Sequence, residues 1–523
     1  MKRYLPIFLI LLIATGSFAQ RRVKLKHADS LAGSIRDGER FDRLIGNVIF
    51  IQNTTTIYCD SAHFFKTNNR IEAFGKVHIT DGDSVDVTSL ALTYEGNKKI
   101  AYLRKKVVFT KLGIATLHTD FLDYDRQKNE ARYFNGGKLV DTTNVLTSKK
   151  GYYDVRTNLA AFKSEVVVVN PDYTMTSDTL LYNSKTKIIY FKDVTTIKDK
   201  DGAVAVYKSG FYDTNKKSSE LNLGEIETVE YKIKGNEYLI DDFRKHYKAK
   251  GKVVMTSKEE NMLIFGDDTF YDKKTGISKV YGNAYVAKID DDLDTLFISA
   301  DTLVSIENKD PNKKRLLAYN KVKIFKKDLQ GVADSLVYMA VDSTIYFYTD
   351  PILWSSGNQM TADSIRIRMK NKKIDKLYMV ANSFVVSKDS MSNFNQIKGR
   401  NMITDFHGSS INNVLVEGNA ESLYYALEEK EEDLDSVKVK LTITMGMNKM
   451  ICSKMKIIFE DGKVNTVNAY VKPDAQFIPP HEIKEADRKL KGFVWKEEQR
   501  PTHDQVVKKP RNDSPHQKIV KDM

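Results

Sequence analysis

Apolar and polar residues alternate in short runs along most of this chain, and the runs recur. In SDTLLYNSKTKIIYFKDVTTI (177–197) a polar pair leads into an alternating stretch that ends on a tyrosine. Asn-Ser-Lys-Thr interrupts it, and a second apolar run follows. Alternation with period two marks strands, and a polar tetrad with Asn marks a tight reversal. The stretch therefore predicts a hairpin. Relatives of its first half recur as ADTL (300–303), ADSL (333–336) and ADSI (362–365), and more loosely as CDSAHFF (59–65), TSLALTY (88–94) and GDDTFYD (266–272). Aligned on Asp178, the landmarks are Asp29, Asp60, Leu90, Asp120, Lys149, Asp178, Lys208, Asp267, Asp301, Asp334, Asp363, Arg400 and Lys454. Their spacing predicts about fourteen repeats of roughly 30 residues, two gaps reading as doubled units. Second halves such as RIEAFGKVHI (70–79) and KVYGNAYVAK (279–288) make each unit strand, turn, strand, loop.

Within a unit, positions +2 and +4 from the landmark are mostly apolar: Leu92 and Tyr94, Leu122 and Tyr124, Leu180 and Tyr182, Leu336 and Tyr338, Ile365 and Ile367. Side chains two apart share a strand face, so stacked units align these positions into one stripe. A single two-stranded unit is marginal in water; stacking buries the stripe. The expected fold is all-β, with stacked antiparallel strands curled over their own apolar face. The recurring Asp reads as a residue that, with its Ser or Thr neighbour, caps a turn and starts a strand. An active site is built once, whereas this Asp recurs and is replaced by Lys149, Lys208 and Lys454.

Composition agrees with strands: Tyr (27) and Phe (25) are abundant and Pro (10) scarce. The net charge of +13 favours polyanions without choosing among them. The nine histidines are scattered, with no paired ligand spacing, no phosphate-cradling Gly-rich loop and no nucleophile elbow. No metal, cofactor or catalytic residue is expected, and the chain reads as a non-enzyme.

Residues 1–19 read as a signal peptide. Lys2 and Arg3 precede a short apolar run, and Ser17-Phe18-Ala19 is a cleavage site leaving Gln20 first. Residues 20–472 form the repeat array, and 473–523 a charged C-terminal tail. Pro479-Pro480 and Pro501 break that tail up, although 481–491 suit a short helix. A disordered end is the first reading of the tail; a docking segment anchored by Phe493 and Trp495 is the second. Cys59 and Cys452 lie near opposite ends of the array, too far apart to bridge, so two free thiols are expected.

GNVIFIQNTTTIYCDSAHFF (46–65), RIEAFGKVHI and the following apolar strand give residues 43–94 a pattern that returns as YGNAYVAK (281–288) and VEGNAESLYY (416–425). This pattern resembles the OstA-like proteins, the LptA-type components of lipopolysaccharide transport. The resemblance implies an elongated β-jellyroll, or β-taco, with an apolar interior that shields lipid A acyl chains across the periplasm. It also implies lipopolysaccharide as ligand, lipopolysaccharide-transport proteins at the inner and outer membranes as partners, and edge-to-edge self-association, with no nucleic acid. The lipid-facing positions would be the +2/+4 stripe. The competing readings are a structural or adhesive exported β-array with a sealed core, and a glycan-active β-solenoid, which would need a carboxylate cluster the period does not provide.

Overall fold

The computed structural model describes residues 22–507 apart from 83–84, 112, 229–230, 259–260, 290–294, 340, 371–372, 408–409, 435–436 and 461–462; the leader and residues 508–523 lie outside it. The described residues are nearly all strand, and every described pairing is antiparallel. They divide into two compact units. Unit 1 runs to Asp201 and takes in Lys208–Asn215; unit 2 comprises Gly202–Tyr207 and the chain from Lys216 onward.

Unit 1 opens on two short strands, β1 (Lys24–His27) and β2 (Ser30–Arg36), followed by a succession of long ones: β3 (Glu39–Gln52), β4 (Thr55–Phe65), β5 (Arg70–Asp81), β6 (Val85–Glu95), β7 (Ile100–Lys111), β8 (Ala115–Asp125), β9 (Glu130–Val140), β10 (Val145–Asp154), β11 (Leu159–Asn170) and β12 (Tyr173–Asn183). From β3 onward each pairs with the next. The reversals use the chemistry the sequence announces. In the Asn183 turn, the Asn183 carboxamide oxygen accepts from the amides of Lys185 and Thr186.

Each long strand is creased at its middle. On β3, β5, β7, β9 and β11 two consecutive residues have positive φ: Gly46-Asn47, Gly75-Lys76, Lys105-Lys106, Asn135-Gly136 and Ser164-Glu165. They form a bulge, and the register slips there, as between Tyr58 and Ser61 of β4 opposite β5. On the even strands the buried alternation changes parity at the same level, from Cys59 to Ala62, Ser89 to Leu92 and Thr119 to Leu122. The crease divides every strand into two arms, and the parity change keeps apolar residues inside on both. The arms close on each other: the Phe50 ring on the first arm lies 5.3 Å from Phe64 on the second, and Phe109 lies 5.6 Å from Tyr124.

The recurring Asp lies at this crease, which corrects the expectation that it starts a strand. Asp60, Asp120 and Asp178 are mid-strand, in β4, β8 and β12. Landmark carboxylates hold the neighbouring bulge where their bonds are described: Asp29 accepts from Asn47 Nδ2 (2.9 Å) and Asp120 from the Lys106 amide (2.9 Å). In unit 2, Asp267 accepts from Asn283 and Asp363 from Asn382. The preceding hydroxyl serves the same bend, Ser89 and Ser148 each donating to the carbonyl two residues on. The Gly-Asn-Val motif and the Ser/Thr-Asp motif are thus two sides of one fold line. A Cβ on Gly75 would sit 2.5 Å from Asp60 Oδ2 at a φ of +70°, whereas Gly82, at +58°, faces open space. Gly82→Ala should therefore cost only backbone strain, about 1 kcal/mol. Gly75→Ala should cost roughly 2–3 kcal/mol by adding the collision. Equal losses in urea unfolding would show that the Asp contact does not hold the crease.

In unit 2 parts of the same plan are cut into shorter pieces, such as Ile277–Tyr281, Tyr285–Ile289, Ile352–Ser355 and Asn358–Thr361, while others run longer, as Ser410–Leu434 and Val437–Glu460. Its main core includes Val286, Leu303, Ile324, Leu336, Ile365, Met402 and Met455. A separate cluster gathers Phe384, Val386, Leu423, Tyr425, Met447, Ile478 and Leu490. Cys59, in unit 1, and Cys452, in unit 2, are buried free thiols, and burial pushes Cys59 up to about 12. The expected short helix at 481–491 is instead two 3-10 turns, Pro480–Glu482 and Glu485–Asp487.

Candidate functional site: the apolar interior and its rim

The stripe faces inward as the period requires. Leu92, Tyr94, Leu122, Tyr124, Leu180, Tyr182, Leu336, Ile365 and Ile367 are all buried; Tyr338 is half-buried. In unit 1 this interior is tightly filled. A cavity of about 20 Å³, room for one water, is lined by residues including Phe109, Leu117, Tyr133, Tyr153 and Phe162. Burial pushes the Tyr124 and Tyr133 phenols up to about 12, so both hydroxyls stay neutral.

Opposite the crease the two arms end, and the mouth between them is laced by polar side chains. Gln52, at the end of β3, accepts from the Tyr94 hydroxyl (2.5 Å) and donates to the Gly96 carbonyl (3.0 Å). Asp81 ends β5 and takes Arg126, just past β8, through two bonds of 2.7 Å. Lys111 ends β7 and donates to Asn158 Oδ1 (2.6 Å) and the Val155 carbonyl, both past β10. Asp141, just past β9, accepts from Tyr182 of β12 and from Lys187 beyond it (3.1 Å). Each tie joins the first-arm end of one strand to the second-arm end of the strand three places on. The ties therefore span 41 to 47 residues, about one and a half repeats, and are invisible to a search at the repeat period.

These ties are buried. The Asp81 and Arg126 side chains are 13% and 11% exposed, and Asp141 and Lys187 0% and 16%. Burial opposes the charge on Asp141, yet the Tyr182 hydroxyl, the Thr143 and Asn144 amides and Lys187 together hold its carboxyl below the usual range. Burial also lowers the Lys111 ammonium, which no carboxylate touches directly among its described bonds. One Arg126 nitrogen, Nη1, is buried without a hydrogen-bond partner. Desolvating such groups costs several kcal/mol per ion, and apolar replacements of similar volume are often as stable.

In unit 2 the corresponding rim carries the chain's own C-terminal segment, for which the sequence left a disordered end and a docking segment as readings. Residues through Val506 lie against it. Leu490 and Val506 are buried, and Phe493 and Trp495 pack on Phe394 at 5.2 and 5.3 Å. Among the described residues no group of three or more His, Cys, Asp or Glu is placed to hold a metal, and no helix is long and apolar enough to cross a membrane.

The family match falls in unit 1. Residues 20–178 match the family described as OstA-like protein. Among solved structures, a match is LptH of Pseudomonas aeruginosa, the LptA-homologous periplasmic component of the lipopolysaccharide transport device. It is 17% identical, covers 21% of this chain and 75% of its own, and has a TM-score of 0.18. No curated protein sequence matches. Creased strands, a Gly-Asn-Val bulge and an Asp that holds it run through the matched segment. These features lie in the segment, residues 20–178, that is similar to the OstA-like protein family.

Proposed function

We propose that this protein is a non-enzymatic periplasmic carrier of lipopolysaccharide, whose paired arms part to take lipid A acyl chains against the inward stripe. The observation that carries the reading is the mouth of unit 1: an interior lined by Leu92, Leu122, Leu180 and their tyrosine neighbours is laced at its mouth by buried polar ties. The similarity of this segment to the OstA-like family points the same way. The energies are compatible with reversible loading. An acyl chain gains about 0.8 kcal/mol per buried methylene, so a dozen give roughly 10 kcal/mol. Four ties at about 1–3 kcal/mol each are of the same order. Nothing in the chain supplies the energy of movement, so transport draws on partners at the two membranes.

A second reading, a sealed structural array, is favoured by the 20 Å³ cavity and the ring contacts between arms. One experiment separates them. A photo-crosslinking residue replaces Tyr182 or Tyr338 inside, or Tyr58 outside, where the ring is 40% exposed. Lipopolysaccharide should be captured in cells from the two inner positions and not from Tyr58. No capture from either inner position leaves the sealed array standing.

A further inference from the structure

Three glutamines on the rim of unit 2 form a ladder. Gln330 pairs across the sheet with Trp354, Trp354 with Gln359, Gln359 with Val386, Val386 with Gln396, and Gln396 with Leu423. They therefore occupy one continuous row, alternating with apolar residues, on the face that buries Trp354, Val386 and Leu423. At 4%, 1% and 0% exposure, three carboxamides are placed where a core would carry leucine.

Their partners lie on the C-terminal segment, and two of the three bind its main chain. Gln396 donates to the Arg488 carbonyl and accepts from the Leu490 amide, both at 2.8 Å. Gln359 donates to the Val494 carbonyl (2.8 Å) and accepts from the Lys496 amide (2.7 Å). The spacing repeats: carbonyl and amide two residues apart, six residues between sites. Gln330 accepts from the Arg500 guanidinium at 2.8 and 2.6 Å. The segment is not a strand of the sheet. It is charged, Pro-containing and shaped by 3-10 turns, and its apolar anchors include Ile483, Leu490, Phe493, Trp495 and Val506. Beneath it lie Phe384, Val386, Leu423, Tyr425 and Met447.

A permanent core element would join the ladder of backbone bonds. This one packs apolar anchors but adds no strand, its main chain being held by side-chain amides that fit any backbone of that shape, so it can leave and return without disturbing a strand. We infer that residues 480–506 are a displaceable cover, that the Gln330–Gln359–Gln396 row is a peptide-holding site which retains it, Gln359 and Gln396 by its main chain and Gln330 by Arg500, and that its release opens the apolar face beneath to acyl chains. The last step rests on the lipid-carrying reading above; the peptide-holding row does not.

The test uses the full chain in two forms. Gln359→Ala with Gln396→Ala releases the cover. Phe394→Cys with Phe493→Cys locks it by a disulfide, the native thiols being buried. Hydrogen exchange at the Leu490 and Lys496 amides should rise about 100-fold in the first form, four bonds to the row being lost. A fluorescent lipopolysaccharide should bind the released form about tenfold tighter than the parent, because the competent state is no longer rare. The locked form should bind about tenfold more weakly, and reductant should restore it. Unchanged exchange in the glutamine variant overturns the row as the retaining site. Equal lipid binding by locked and released forms overturns the cover's role. If exchange rises but no form binds the lipid, the lipid-carrying reading fails with its admission step, and the peptide-holding row stands.

Discussion

Asp141→Asn lowers the stability of unit 1 by about 3–5 kcal/mol at neutral pH, the range for removing one partner of a buried ion pair. The asparagine still accepts from Tyr182, but Lys187, 16% exposed, is left without the only carboxylate it bonds among its described contacts. The same variant changes the response to acid. The Asp141 carboxyl is held below its ordinary value in the folded chain, while in the unfolded chain it titrates near 3.9. Its contribution is thus complete above about pH 4 and is lost as pH falls through the depressed folded value. Urea midpoints of the parent should drop through that window, and those of the variant should drop less. Matching midpoints and matching acid slopes would mean that the lacing does not hold the arms together.

Much of this was readable in advance, and the reason is physical. Period two and a repeat near 30 residues are local signals, so the hairpins and the inward stripe follow from counting. Leu122, Leu180 and Tyr182 are buried as their spacing demands. The crease was half legible. Gly46-Asn47 and Asp60 stand out as motifs, but a strand pattern alone does not distinguish an Asp that starts a strand from one that holds a bulge on its neighbour. The rim was not legible. Asp81 and Arg126, or Gln52 and Tyr94, meet because two arms fold over with a three-strand offset, and neither partner is unusual for a turn or strand end. Gln330, Gln359 and Gln396 were silent for the same reason: a glutamine becomes conspicuous only when the row around it is buried.

Gly151→Val should destabilise unit 1 by about 4 kcal/mol, although Gly151 needs no unusual backbone. Counting from Lys149, it occupies the +2 position, where most other units place leucine or isoleucine. The missing side chain is supplied from the next strand. Gly151 is paired with Tyr133 of β9, whose ring lies over both Gly151 and Gly137, its hydroxyl bonded to Ser148 Oγ at 2.6 Å. A Cβ on Gly151 falls among the ring atoms, and one on Gly137 lies 2.5 Å from Tyr133 Cε2. Valine must evict the ring. That costs roughly 1–3 kcal/mol of overpacking and about 2 kcal/mol of lost burial and hydrogen bonding. The stripe then tolerates a large residue from either strand but not from both. Tyr133→Leu should accordingly be costly alone yet recover more than about 1 kcal/mol when combined with Gly151→Val, a coupling within the usual range for touching residues. Strict additivity in chemical denaturation would place the cost elsewhere and would remove the claim that neighbouring repeats share one volume along the interior.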